Sequence, residues 1–205
     1  MYNDDFDSKA KTWDSSEKIY RAQLLADLIS KESADLKLDS AFEYGCGTGL
    51  VSLQLQNQIT KITLADISEG MLDILNEKIA AQQITNMFPL NLDLMLNQPL
   101  NETFTLAYSL LTLHHIQNTQ HIFSAFYNIL KKNGRLFIAD LDQEDGSFHG
   151  TGFDGHNGFI RENLKHLAIK VGFKNIKFRE FYSITKTTAA GENKTYPLFL
   201  MIADK

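Results

Sequence analysis

Three glycines at alternate positions, Gly45, Gly47 and Gly49, separate an apolar run containing Ala41, Phe42 and Tyr44 from a second apolar recurrence at Leu50, Val51, Leu53 and Leu55. This is the pattern of a strand that turns sharply into a helix, and its chemistry is nucleotide binding. Glycine reaches backbone angles closed to other residues and lets a ligand approach the main chain with no Cβ in the way. Unpaired amides at the start of the following helix face the same space. Roughly 20 residues further on, where a ribose-binding acid belongs in such a fold, the run Ile62, Leu64, Ala65 ends in Asp66. Asp66 also suits a helix N-cap, since Ser68 and Glu69 open a helical pattern beyond it. A third acid, Asp93, follows the apolar run from Met87 to Leu92, where it could accept from the amino group of a base or stand as a solvated loop acid.

These residues need a parallel sheet to bring them together. Strand and helix patterns alternate at short spacing through residue 141, which is the signature of βαβ winding with right-handed crossovers. Ile19, Leu24, Leu25, Leu28 and Ile29 form one stripe of an early helix, and Met71, Leu72, Leu75 and Ile79 form another after Asp66. Phe104 to Leu110 reads as a fourth strand, followed by a loop from Ser109 to Ile116 that should lie beside the glycine turn. Ile122, Phe123, Phe126, Ile129 and Leu130 mark a helix, with a cationic stop at Lys131, Lys132, Asn133 and Gly134 before the strand Leu136 to Ala139. From Asp140 to Gly158 the pattern breaks into a long polar, glycine-rich loop, of the kind that is commonly functional. A helix from about Ile160 to Val171 ends at Gly172, and strands near Lys174 to Ile184 and Tyr196 to Ala203 close the chain as an antiparallel edge pair. The polar link Lys186 to Lys194 between them reads as mobile. The expected fold is therefore a single α/β domain, a Rossmann-like doubly wound seven-stranded sheet with helices on both faces and an antiparallel final hairpin. Within it, residues 1–38 form an N-terminal segment and helix, 39–141 the ligand-binding βα core, 142–160 a substrate-side loop, and 161–205 the last helix and hairpin. Tyr2, Phe6 and Trp13 lie in a stretch of little periodicity that suits either a flap over the site or an apolar anchor.

Composition narrows the function classes. The 205 residues are 43% hydrophobic with net charge −5, enough for one full core and unfavourable for a large nucleic-acid footprint. No apolar run approaches the roughly 20 residues of a membrane span, and the opening Met1-Tyr2-Asn3-Asp4-Asp5 is no signal peptide. A single cysteine, Cys46, permits no internal disulfide, which points to a reducing cytoplasm. A small-molecule substrate fits this balance, and oligomeric state is not legible.

The whole pattern resembles the class I S-adenosylmethionine-dependent methyltransferases. Glu43-Tyr44-Gly45-Cys46-Gly47-Thr48-Gly49 is similar to their acidic-x-G-x-G-x-G signature, Asp66-Ile67-Ser68 with Met71 to the ribose-binding segment, and Asp93-Leu94 to the adenine-contacting pair. Leu113-His114-His115-Ile116 looks like a loop common in the small-molecule branch, and Leu130 to Leu136 like the approach to strand five. The resemblance implies S-adenosylmethionine as cofactor, with Glu43 near the methionyl ammonium, the turn Gly45, Cys46, Gly47 and Gly49 admitting the methionine part, and Asp66 on the ribose. It further implies that Ile67 and Met71 pack on adenine, that Asp93 and the Leu94 amide meet the base edge, and that Ser109 and Leu110 line the methionyl side through backbone groups. The implied reaction is methyl transfer to an unidentified small molecule. The methyl is already activated on sulfonium, so the protein aligns a nucleophile, excludes water and, where needed, takes a proton. His114, Asp142, His149 and His156 are the candidate proton acceptors.

Three other readings compete. An NAD(P)-dependent oxidoreductase shares the turn and the acid, but the usual third glycine of its motif would stand at position 50, where this chain has Leu50. Tyr182 and Lys186 reproduce a dehydrogenase spacing within a strand pattern, where four residues separate side chains by about 13 Å. A metal site built from Asp142, Glu144, Asp145, His149, Asp154 and His156 has suitable ligand types at a spacing that matches no compact structural site, so no metal is expected. A non-catalytic S-adenosylmethionine-binding protein would use the same fold as a sensor.

Overall fold

The computed structural model describes residues 2–96, 100–188 and 191–205, with side chains from Phe6 onward. Seven strands form one sheet: β1 (Ala41–Tyr44), β2 (Ile62–Asp66), β3 (Met87–Asn91), β4 (Phe104–Leu110), β5 (Leu130–Leu141), β6 (Lys174–Thr187) and β7 (Asn193–Asp204), in the order β3-β2-β1-β4-β5-β7-β6. The first five are parallel, and β7 runs antiparallel to both β5 and β6. Strand order reverses between β1 and β4, so the loops leaving their carboxyl ends part there and open a crevice.

Helices cover both faces. Leu25 and Ile29 of α2 (Ser16–Glu32), Val51 and Leu55 of α3 (Leu50–Leu55) and Leu72 and Leu75 of α4 (Glu69–Ala81) share one core with Leu64, Leu106 and Phe137. Phe123 and Phe126 of α5 (Thr119–Ile129) and Leu164 and Ala168 of α6 (Arg161–Val171) share the other with Phe42, Ala107 and Ile138. β1 is buried along its whole length, which is why it reads as continuous apolar sequence interrupted by a single acid.

The structure corrects four sequence expectations. The opening segment is helical: α1 (Tyr2–Lys9) and a 3-10 turn at Ala10–Thr12 precede α2. In α2 the inward stripe is Arg21, Ala22, Leu25, Ala26 and Ile29, while Ile19 is 41% exposed. Lys131 to Gly134 belong to β5 and not to a helix stop, because α5 ends at Ile129 and Leu130 already pairs with Phe104. Asn133 takes the left-handed angle at φ 65°, whereas a Cβ on Gly134 would lie 3.0 Å from the Thr105 carbonyl, so close strand approach explains this glycine. Finally, most of the polar link reads as hairpin: β6 continues through Thr187 and β7 begins at Asn193. Residues 189 and 190 of that link, and Met1, lie outside the described residues.

Candidate functional site

The glycine turn sits at the carboxyl end of β1, and its conformation demands glycine three times over: Gly45, Gly47 and Gly49 have φ of 69°, 53° and 79°. Gly45 also has no room for a side chain, since a Cβ there would lie 2.2 Å from Thr112 Oγ1. Its amide and that of Cys46 donate to the Ala65 carbonyl at 2.8 and 3.1 Å, which ties the turn to the end of β2. A Cβ on Gly47 would meet Trp13 Nε1 at 3.7 Å and Met71 Sδ at 3.9 Å, ordinary contact distances, so this glycine is uncrowded and its left-handed angle is what favours the residue.

Asp66 stands at the tip of β2, where its Oδ2 accepts from the Gly47 amide at 2.7 Å and its Oδ1 from the Ser68 amide at 2.9 Å. Ser68 is the N-cap of α4, accepting from the Met71 amide at 3.2 Å, so Asp66 is not the cap residue. Burial pushes the Asp66 carboxyl up from the usual range, opposed by the Ser68 and Gly47 amides. Beside it Ile67 is 40% exposed and Met71 is buried. Asp93 caps the 3-10 turn Leu94–Leu96 through the Met95 amide at 2.8 Å and accepts from the Tyr44 hydroxyl at 3.2 Å. The sequence reading missed Tyr44, whose aromatic type signalled only core. Leu94 is buried, and Leu96 projects at 67% exposure beside the acid.

Glu43 and Cys46 lie beneath the turn. Glu43 faces the α3 side of the sheet, accepts from Ser52 Oγ, and through Ser52 reaches the buried Tyr108 hydroxyl at 2.7 Å. Burial pushes Glu43 up to about 8, and it holds the Cys46 thiol high as well. Because the folded value lies above the ordinary 4.5, the unfolded chain ionises first as pH rises. Stability falls between those two values and stays low above the upper one. Glu43→Gln removes that loss. Expected is a variant more stable than the parent at pH 8 by about 2–4 kcal/mol, with little difference at pH 4. Parallel unfolding curves at both pH values would show the carboxyl to be ionised in the fold.

Residues 6–15 close over this turn. Asp7 accepts from Ser68 Oγ and from the Gly70 amide at 2.9 Å, and these bonds hold its carboxyl low. Asp14 accepts from Thr48 Oγ1 at 2.5 Å and pairs with Lys78 at 2.5 Å, while Lys78 also donates to the Thr48 carbonyl at 2.9 Å. Phe6 stands edge-on to Trp13 and to His115, with ring centroids 5.8 and 5.6 Å apart.

On the other side of the crevice, Ser109 Oγ donates to the Tyr44 carbonyl at 2.8 Å, and Leu110 ends β4. Leu111 then adopts φ 54°, a left-handed angle costly for a branched side chain, with its amide held by the Ala139 carbonyl at 2.8 Å. This bend aims Thr112 at Gly45 and starts the 3-10 turn Leu113–His115. His114 is 2% exposed. Its Nδ1 lies 2.7 Å from Asp140 Oδ1 and its amide donates to Asp140 Oδ2 at 3.2 Å. A carboxylate accepts, which assigns the proton to Nδ1 and leaves Nε2 a buried lone pair that no protein group hydrogen-bonds. Asp140 was not singled out from sequence because nothing local joins it to His114, 26 residues away.

His149 arrives from the long loop. Ring centroids are 4.2 Å apart for His114 and His115, 5.0 Å for His114 and His149, and 5.5 Å for His115 and His149. Phe153 stacks on His149 at 3.8 Å. Burial, then the neighbouring His114, pushes His115 down to about 3 and His149 down to about 4, so both are neutral at pH 7. The other two candidates stand apart from this group. His156 Nε2 lies 2.9 Å from the Ile116 carbonyl and its amide donates to the His114 carbonyl at 2.7 Å, which anchors the loop. Asp142 holds Arg161 by two bonds of 2.7 and 2.6 Å. Asp145 pairs with Lys194 at 2.5 Å, and among the described residues no acid of the loop joins His114, His115 and His149 at ligand distance. An open polar depression of about 540 Å³ beside Asn57, Gln83 and Asn86 lies at the opposite, amino ends of β2 and β3.

A doubly wound sheet with a glycine turn at its switch point and an acid at the tip of β2 defines a nucleotide-binding α/β protein. Residues 42–138 match the methyltransferase domain family. An uncharacterized methyltransferase of Schizosaccharomyces pombe is 30% identical over 166 residues, 73% of this chain and 57% of that protein. A ubiquinone/menaquinone biosynthesis C-methyltransferase of Zymomonas mobilis is 26% identical over 148 residues, 71% of this chain and 55% of that protein. The chain thus spans little more than half the length of these curated relatives. Among solved structures, a phosphoethanolamine N-methyltransferase of Haemonchus contortus in complex with S-adenosyl-L-methionine superposes with TM-score 0.70 at 16% identity, over 88% of this chain and 52% of that one. Sequence match and fold together identify the chain as a class I S-adenosylmethionine-dependent methyltransferase domain.

S-adenosylmethionine is the cofactor of this family, and the residues present suit it. Gly47 is uncrowded, Asp66 offers a carboxylate at the strand tip, and Ile67 exposes an apolar surface where a base would rest. Lys78, which donates to the Thr48 carbonyl of the turn, is paired with Asp14.

Proposed function

We propose that this domain transfers the methyl group of S-adenosylmethionine to a small molecule seated against His114, His115 and His149. The observation that carries this reading is the buried Asp140–His114 pair, which fixes an unshared Nε2 lone pair one turn of chain from Thr112 and Gly45. Asp66 holds the ribose, Ile67 and Met71 flank the adenine, Asp93 with the Leu94 amide meets its edge, and the backbone of Ser109 and Leu110 lines the methionyl side. The cofactor supplies the activated methyl. The chain's own residues orient the acceptor, keep water out beneath Phe6 and Trp13, and take the acceptor's proton on His114 Nε2. Phe6, Phe148 and Phe153 surround the histidines with apolar faces, which favours a flat or weakly polar acceptor. The named quinone-pathway relative supports the same class.

A nicotinamide reading has little to stand on, because Tyr182 and Lys186 lie four residues apart on β6. The deciding experiment is calorimetric titration of the purified chain with S-adenosylmethionine, S-adenosylhomocysteine and NAD in parallel, followed by an acceptor screen that detects S-adenosylhomocysteine release. Micromolar binding of the first two, none of NAD, and turnover of a small hydroxyl, thiol or activated-carbon compound is the expected result. Binding of NAD alone would overturn the proposal. Tight cofactor binding with no turnover of any acceptor would make the protein a sensor.

A further inference from the structure

We infer that His114, His115 and His149 form a site for one divalent transition-metal ion, of which Zn²⁺ is the best matched. Each residue offers one ring nitrogen, and the three nitrogens lie within 4.8 Å of one another. Tetrahedral zinc with Zn–N near 2.0–2.1 Å places its ligands roughly 3.3 Å apart, so the trio needs to contract by up to about 1.5 Å. The means to contract are built in. His114 and His115 ride on the same 3-10 turn, held from below by Asp140, whereas His149 is exposed and sits between Gly146 and Gly150. Both glycines have left-handed angles, φ 89° and 84°, and Gly150 borders open space, so the loop can deliver His149 by a small shift.

Two features single this trio out from a chance gathering of rings. His114 is almost wholly buried, yet its Nε2 meets no protein partner. Such an atom costs free energy unless something fills its lone-pair direction. Its opposite nitrogen is held by a carboxylate, which is the arrangement that orients an imidazole for a metal and raises its basicity. Imidazole ligands suit zinc, copper, nickel and iron more than magnesium or calcium. Three protein ligands leave a fourth position facing the acceptor space. Opposing the ion, Lys186 lies near His149, with its ammonium over Phe148 at 4.1 Å and donating to the Phe148 carbonyl at 2.6 Å.

The ion and a proton compete for the same lone pair of His114. A loaded site therefore selects acceptors that carry an oxygen or sulfur able to ligate, whose proton is lost to solvent on binding. This last consequence rests on the methyl-transfer reading, but the binding of the ion does not.

The test uses the full chain stripped with chelator and dialysed, then titrated with Zn²⁺ by calorimetry and with Co²⁺ by visible absorption, with S-adenosylhomocysteine titrated into the same samples. Expected are one ion per chain, a tetrahedral Co²⁺ spectrum, and at least tenfold weaker binding in His149→Ala and in Asp140→Asn. His149→Ala should keep its thermal midpoint and its S-adenosylhomocysteine affinity. Absence of stoichiometric binding, or binding that His149→Ala and His115→Gln leave unchanged, would overturn the site. Metal binding without S-adenosylhomocysteine binding would sink the proposed function and leave the ion site standing.

Discussion

Asp66→Ala is expected to weaken S-adenosylhomocysteine binding by roughly 100-fold or more, the largest single loss that any side chain of the cofactor crevice should produce. Two ribose hydroxyls donating to one carboxylate contribute about 1.5–3 kcal/mol each, and each 1.4 kcal/mol is a factor of ten. The carboxylate also accepts from the Gly47 and Ser68 amides, so its removal loosens the glycine turn and exposes two backbone donors. That second effect costs stability as well as affinity, about 1–3 kcal/mol, and has to be separated from the first. Asp66→Asn does so, because its remaining oxygen can keep one amide while it loses the charge and half the acceptor capacity. Calorimetry on both variants, with thermal unfolding alongside, reads the two effects independently. A folded Asp66→Ala protein that binds S-adenosylhomocysteine as tightly as the parent would remove Asp66 from the ribose.

Most of the sheet was legible because parallel strands buried on both faces write themselves as continuous apolar runs, and β1, β2, β4 and the end of β5 are such runs. The glycine turn was legible because left-handed angles leave few other choices of residue. What failed was local inference wherever tertiary contact decides. Lys131 to Gly134 carry every mark of a helix end, yet pairing of Leu130 with Phe104 and an ion pair of 2.8 Å between Lys131 and Asp39 draw them into β5. α1 has little amphipathic pattern of its own. Asp7 fastens it to α4 across 61 and 63 residues of sequence, to Ser68 and Gly70.

The same limit applies more strongly to the acceptor side. His114 and His149 were named from residue type, but their partners were not. Asp140 reads as the first residue of the polar loop, and His115 as the second half of a dipeptide. Alternation along β5 turns Asp140 inward, and its backbone neighbour Leu141 donates to it at 2.7 Å, so the acid is buried with three donors on its two oxygens. His156 and Asp142 belonged to the same polar loop and looked equally suited to proton transfer. Their bonds to the Ile116 carbonyl and to Arg161 instead fix the path by which that loop returns to α6.

Asp140→Asn carries the second large expectation, and it follows from counting acceptors. Asp140 Oδ1 takes His114 Nδ1 and the Leu141 amide, and Oδ2 takes the His114 amide. Asparagine has one acceptor oxygen, so one side must present N–H to a donor. If the amide nitrogen faces His114 Nδ1, the ring flips tautomer, the proton moves to Nε2, and the lone pair that faces the acceptor is gone. If the oxygen faces Nδ1, the His114 backbone amide loses its partner in a fully buried place, at a cost of about 1–3 kcal/mol. The ring then keeps its tautomer on a loosened turn. Loss of a positioned proton acceptor lowers turnover by roughly 100-fold or more, while S-adenosylhomocysteine affinity stays within about twofold, because the described hydrogen bonds of Asp140 go to His114 and Leu141 and to no cofactor-side residue. The ¹⁵N shifts of the His114 ring separate the two outcomes without need of any acceptor: a protonated Nε2 marks the flip, and an unprotonated one marks the loosened turn. A variant that kept both the parent's ring shifts and its turnover would mean that Asp140 only supports the strand, and that His114 takes no part in moving the acceptor's proton.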